Sequence, residues 1–134
     1  MKLFVDTSGW VAVHDAADAR NSKALAVWQG LPRQAAVLFT TDYVFDETVT
    51  VLRLKIGHAA AVEFGDTLLR SRVVRMLEVT REVRDRAWAY FKTHRDKGYS
   101  FTDCTSFVIM HDLGLARAFT LDRHFRQAGF EVLP

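Results

Sequence analysis

Lys2-Leu3-Phe4-Val5-Asp6-Thr7-Ser8 begins the chain with a short apolar run that stops at an acid and two hydroxyl residues. A run of this length and composition reads as a buried strand, and Asp-Thr-Ser reads as the cap of a following helix. Working outward from it, the same unit recurs. Residues 36–39 form a second apolar run, and Thr41-Asp42 caps a helix expected to reach about Ile56 and close at Gly57. The apolar stripe expected on that helix is Phe45, Val49, Leu52 and Ile56, spaced by four, three and four.

Further helices are expected over residues 8–16, 21–29, 59–69 and 80–95, and from Ser100 to about Leu113. Gly30 with Pro32, and later Gly98, act as stops. Further strands are expected over 73–79, 117–120 and 131–133. The order is β-α-α-β-α-α-β-α-α-β-β. Strands alternating with helices require an α/β fold with a mainly parallel sheet covered on both faces. The ligand site of such a sheet lies beyond the carboxyl ends of its strands.

The composition agrees with one domain, expected over residues 1–134. Of the 134 residues, 49% are hydrophobic and 25% charged, a globular balance that excludes a disordered chain. The one cysteine, Cys104, excludes an internal disulfide and a cysteine-based zinc cluster, and reads as a small buried residue. No apolar run approaches the roughly 20 residues of a membrane span, and none after Met1 meets the about 7–15 of a signal peptide. A cytoplasmic location is therefore expected. Net charge is only +2, but residues 70–97 carry nine bases against four acids. That region suits either an anionic polymer or a solvated helix face with internal ion pairs.

Four acids occupy corresponding places in this pattern. Asp6 ends the first strand, Glu47 lies early in the helix after the second, Asp103 opens the helix after Gly98, and Asp122 follows the fourth strand. Strand ends and the helix starts that follow them share one edge of a parallel sheet, so the four are expected to meet. Packed carboxylates repel unless a cation joins them. Oxygen-only ligands favour Mg²⁺ or Mn²⁺ over zinc. Other readings stay open: Asp46 competes with Glu47, Asp103 also fits a capping box with Ser100, and Asp122 also fits a turn. The five histidines form no ligand motif, though His124 lies two residues after Asp122. Trp10, Trp28 and Trp88 lie in expected helices and read as core.

Phe4-Val5-Asp6-Thr7-Ser8, the helix with Asp46-Glu47-Thr48, Phe101-Thr102-Asp103-Cys104-Thr105-Ser106-Phe107 and Phe119-Thr120-Leu121-Asp122 together resemble a PIN-domain ribonuclease, and among these the VapC-type toxins of prokaryotic toxin–antitoxin pairs. The resemblance spans nearly the whole chain. It implies a three-layer α/β/α sandwich with a mostly parallel sheet and a metal-dependent endoribonuclease site. It maps the acidic set onto Asp6, Glu47, Asp103 and Asp122, with Thr7, Ser8 and Thr120 in support. It also implies an RNA substrate, a homodimer and a cognate antitoxin that occludes the acidic pocket. Arg75, Arg84, Arg123 and Arg126 are candidates for holding flanking phosphates. A PIN nuclease of RNA maturation, and a non-catalytic PIN-like binding module, are the alternatives. A receiver domain is disfavoured because residues 75–79 offer no acceptor aspartate and no lysine follows Lys97. An aspartic protease would share Asp6-Thr7-Ser8-Gly9 but is almost all β.

Overall fold

The computed structural model describes residues 1–134. Five strands, β1 (Lys2–Val5), β2 (Val37–Thr41), β3 (Val74–Leu77), β4 (Arg117–Phe119) and β5 (Glu131–Leu133), form one sheet in the order β3-β2-β1-β4-β5. Every pairing is parallel. Phe4 stands beside both Phe39 and Ala118, so β1 is the central strand. Leu3, Phe4 and Val5 are fully buried, as a strand covered on both faces demands. The helices are α1 (Thr7–His14), α2 (Asn21–Gly30), α3 (Asp42–Lys55), α4 (His58–Arg70), α5 (Arg81–Thr93), α6 (Phe101–Leu113) and α7 (His124–Gln127).

Side chains alternate across a strand, and this divides the aromatic core into two layers. On one face Phe119 meets Trp28, and Trp10 meets Trp28 and Phe64. On the other, Phe4 meets Phe125, and Phe125 meets Phe107. Helix α6 is buried without a break from Asp103 to Met110. The result is the parallel sheet covered on both faces expected from the element order, and the α/β/α sandwich that the resemblance implies.

Several expectations need correction. The expected β-β ending omits α7 and therefore leaves β4 and β5 without a crossover. Parallel neighbours need one, and α7 supplies it, anchored by the fully buried Phe125. The buried stripe of α3 is Val44, Thr48 and Leu52, while Ile56 is exposed. Thr48 is invisible to a count of apolar residues because its hydroxyl is satisfied inside, on Thr7. Trp88 is 52% exposed rather than core. The basic stretch 70–97 carries internal ion pairs, Arg84 to Asp85, Arg86 to Glu82 and Lys97 to Asp96, as the solvated-face reading requires.

Gly9 governs how closely α1 approaches the sheet. A Cβ there would lie 2.5 Å from the backbone oxygen of Phe119. That contact is with a strand and has no flexible end to yield. Gly9→Ala is expected to cost about 2–3 kcal/mol in a denaturant melt by overpacking. An unchanged midpoint would show that α1 shifts freely.

Candidate metal and active site

The strand order reverses direction at β1 and β4, which lie side by side although far apart in sequence. Their carboxyl ends therefore open the crevice in which doubly wound sheets hold ligands. Asp6 extends β1 by one residue, its backbone N–H donating to Phe119 at 3.1 Å. Thr120 and Asp122 follow β4. A cavity of about 290 Å³ lies there, lined by Asp6, Thr7, Ser8, Glu47, Asp103, Asp122 and His124 among others. All four sequence-expected acids line it. Asp46 does not and is exposed, because it lies about 100° from Glu47 on the helix. Asp42 instead serves the fold, accepting the backbone N–H groups of Tyr43 at 3.0 Å and Val79 at 2.9 Å.

Two hydroxyl residues lock β1 to β4. Thr120 Oγ1 donates to Asp6 Oδ2 at 3.1 Å and accepts the Asp122 backbone N–H at 3.1 Å. Ser8 Oγ shares a hydrogen bond with Thr120 Oγ1 at 2.8 Å and lies 3.3 Å from the same Asp6 Oδ2. Ser8 in turn accepts the Leu121 N–H at 3.0 Å. Thr7 stands on the other side, its Oγ1 accepting from Thr48 Oγ1 at 3.3 Å.

Asp103 both caps α6 and lines the cavity. Its Oδ2 accepts the Ser100 N–H at 3.0 Å, and its own N–H donates to Ser100 Oγ at 3.0 Å, completing a capping box. The same Oδ2 lies 2.9 Å from His124 Nδ1, and that nitrogen lies 3.1 Å from Asp122 Oδ2. Asp122 Oδ1 accepts the His124 backbone N–H at 2.9 Å. Asp103, Asp122 and His124 present ligand atoms that all lie within 4.8 Å of one another. Asp6 and Glu47 share the cavity but stand outside that tight group. His124 is the residue that sequence reasoning left outside the site, and its place two after Asp122 was the available signal. Gly98 makes room for it: a Cβ there would sit 3.2 Å from His124 Nε2.

The charges are uncomfortable as they stand. Burial, and then the neighbouring Asp103 charge, push the Asp6 carboxyl up to about 7. Burial likewise raises Glu47 and Asp103 above the ordinary carboxylate range. Asp6 Oδ1 is buried with no hydrogen-bond partner. An orphaned carboxylate oxygen facing other carboxylates is satisfied by a divalent cation, and a donor set of oxygens with one imidazole suits one. Cys104 plays no such part, since burial and the Asp103 charge push its thiol up to about 11.

The phosphate candidates Arg75, Arg84, Arg123 and Arg126 all lie outside the cavity lining, which holds Arg20 and Lys55 instead. A larger cleft of about 540 Å³ lies elsewhere, walled by Trp10, Trp28, Leu31, Phe64 and Leu68. It holds no carboxylate and has no part in this chemistry. No helix is long and apolar enough to cross a membrane.

Comparison with known proteins agrees with this fold. The model of the PIN domain matches residues 3–131. The 23S rRNA-specific endonuclease VapC20 of Mycobacterium tuberculosis is 41% identical over 133 residues, covering 98% of both chains. A VapC ribonuclease of Archaeoglobus fulgidus is 28% identical over 117 residues, covering 86% of this chain and 74% of its own. The crystal structure of M. tuberculosis VapC20, described as a sarcin-ricin loop cleaving toxin, superposes with a TM-score of 0.90 at 39% identity, covering 98% of this chain and 99% of that one. FitAcB of Neisseria gonorrhoeae, at 17% identity and a TM-score of 0.69, shares the fold. The all-parallel sheet and the match over residues 3–131 agree, and this chain belongs to the PIN domain family.

Proposed function

We propose that this protein is a metal-dependent endoribonuclease that cleaves RNA phosphodiester bonds, and that it is the toxin of a type II toxin–antitoxin pair. The observation that carries the reading is the convergence of Asp6, Glu47, Asp103, Asp122 and His124 on one cavity at the reversal point of the sheet. The 41% identity to a 23S rRNA-specific endonuclease supports RNA as substrate, and 23S ribosomal RNA as the target.

Asp6, Glu47, Asp103 and Asp122 hold Mg²⁺ or Mn²⁺ in this reading. When bound, such an ion lowers the pKa of a water and neutralises the phosphate undergoing attack. The chain's own groups do the rest. The Ser8–Thr120 lock fixes Asp6 against β4, so that its free oxygen keeps one direction. The capping box fixes Asp103 at the first turn of a buried helix. His124 holds Asp103 and Asp122 at a set separation. Preorganisation of this kind avoids reorganisation during the reaction.

The test is cleavage of total RNA from the native host by purified protein in Mn²⁺ and in Mg²⁺, with EDTA as control. Discrete products, with ends mapped in 23S ribosomal RNA, are expected in metal and absent in EDTA. Folded protein that cuts no host RNA in either metal would overturn the enzyme reading in favour of a binding module. As a toxin the protein takes two protein partners, a second copy of itself and an antitoxin. Expression is expected to arrest growth, and co-expression of the antitoxin to relieve the arrest.

A further inference from the structure

The cavity that gathers the acids is not acidic all round. Arg20, at the end of the α1–α2 loop, and Lys55, the last residue of α3, also stand in its wall. Neither is ion-paired with a site carboxylate. Arg20 is held from behind by Asp18. Its Nε and Nη2 donate at 3.1 Å to the two oxygens of Asp18, and its backbone N–H donates to Oδ1 at 2.8 Å. The Asp18 side chain is 5% exposed, whereas that of Arg20 is 45% exposed. A half-buried aspartate thus grips an accessible guanidinium. Three of the five N–H groups of Arg20 remain outside that grip.

The surrounding field connects these groups to the site. Asp122 acts on the Arg20 guanidinium, and Lys55 acts on Asp18. Asp18, Arg20 and Lys55 together leave one net positive charge at the edge of an acidic cavity. A loop lock alone would require neither Lys55 nor a place in the cavity wall.

Acidic pockets repel polyanions, and a nuclease must hold the phosphates on either side of the bond it cuts. Phosphate contacts set the register of a nucleic acid on a protein. Arg suits this task through its planar fork, and Lys through its compact charge. We propose that Arg20 and Lys55 are substrate-positioning residues that grip a backbone phosphate of RNA next to the scissile one. This rests on the endoribonuclease reading above.

The test uses the full chain carrying Asp103→Asn, which binds without cutting, and a fluorescent single-stranded RNA containing the mapped cleavage site. Arg20→Gln and Lys55→Gln are each expected to weaken binding about tenfold. Each is also expected to flatten the slope of log affinity against log salt by about 0.7, the value for one phosphate on a single strand. Lys2→Gln, outside the cavity, is expected to change neither. Arg20→Lys is expected to restore the slope but only part of the affinity. In the cleaving background the loss is expected in KM, with kcat nearly unchanged. Arg20 also shapes its loop, so Lys55→Gln, at an exposed helix end, separates gripping from folding. If the wild-type chain cleaves RNA while the double variant keeps wild-type affinity and slope, the grip is overturned and the nuclease stands. If the wild-type chain neither binds nor cleaves RNA, both fall.

Discussion

Asp103→Asn is expected to reduce RNA cleavage by at least about 100- to 1,000-fold, the cost of deleting one group from a preorganised electrostatic site. The fold is expected to survive. The asparagine oxygen still accepts the Ser100 N–H, and the backbone N–H of residue 103 still donates to Ser100 Oγ, so the capping box persists. What disappears is one negative charge among Asp6, Asp122 and Glu47. Activity is measured on the mapped RNA in Mn²⁺, with circular dichroism melts of both proteins alongside. A variant that melts like wild type and cuts at an undiminished rate would remove Asp103 from the site.

Asp6→Asn makes the second large effect, and here activity and stability move in opposite directions. Burial and the Asp103 charge hold the Asp6 carboxyl at about 7, against an unfolded value near 3.8. Between those values the folded, metal-free chain binds more protons than the unfolded one. Its stability therefore falls as pH rises from about 4 to 7, and the full cost is present above 7. Three pK units correspond to roughly 4 kcal/mol. Asparagine carries no charge to bury and still accepts from Thr120. The metal-free variant is therefore expected to be more stable than wild type at pH 8 by a few kcal/mol, on the order given by that shift. The gain is expected to vanish near pH 4. Mn²⁺ is expected to raise the wild-type melting temperature and leave the variant's almost unmoved, since only a ligand that binds the folded state stabilises it. Cleavage is expected to be lost. A variant that is less stable than wild type at pH 8 without metal would contradict the buried-charge account.

Much of this molecule was legible in the sequence because its signals are short-range. The run Lys2–Val5 ending on Asp6 read as a buried strand, and it is fully buried from Leu3 to Val5. Ser100 and Asp103 fit the capping-box spacing, and both of its hydrogen bonds are present. Asp6, Glu47 and Asp122 share a cavity because strand ends and following helix starts share one edge of a parallel sheet, and Asp103 joins them from α6, which follows α5 rather than a strand. Other features carried weak signals. Helix α7 has only four residues and no side-chain cap from Arg123, and its evidence is the buried Phe125 rather than a periodic pattern. Thr48 counted as polar, although its hydroxyl is satisfied inside the core. Trp88 counted as core, although it faces solvent.

The sequence by itself determined the alternation of strands and helices, the parallel sheet that follows from it, and the acids that end its elements. Capping, periodicity and crossover length act over a few residues or follow from chain connectivity, so they are written in the order of side chains. Tertiary structure alone decided the other encounters between distant groups. The strand order placed β4 beside β1, so Thr120 reached Asp6 across more than a hundred residues. The crossover through α7 brought His124 onto Asp103, with Gly98 leaving room for its ring. The α1–α2 loop carried Arg20 to the cavity that Lys55 closes from α3. These encounters depend on sheet register and on how helices seat against the sheet, and no local pattern of residues encodes either.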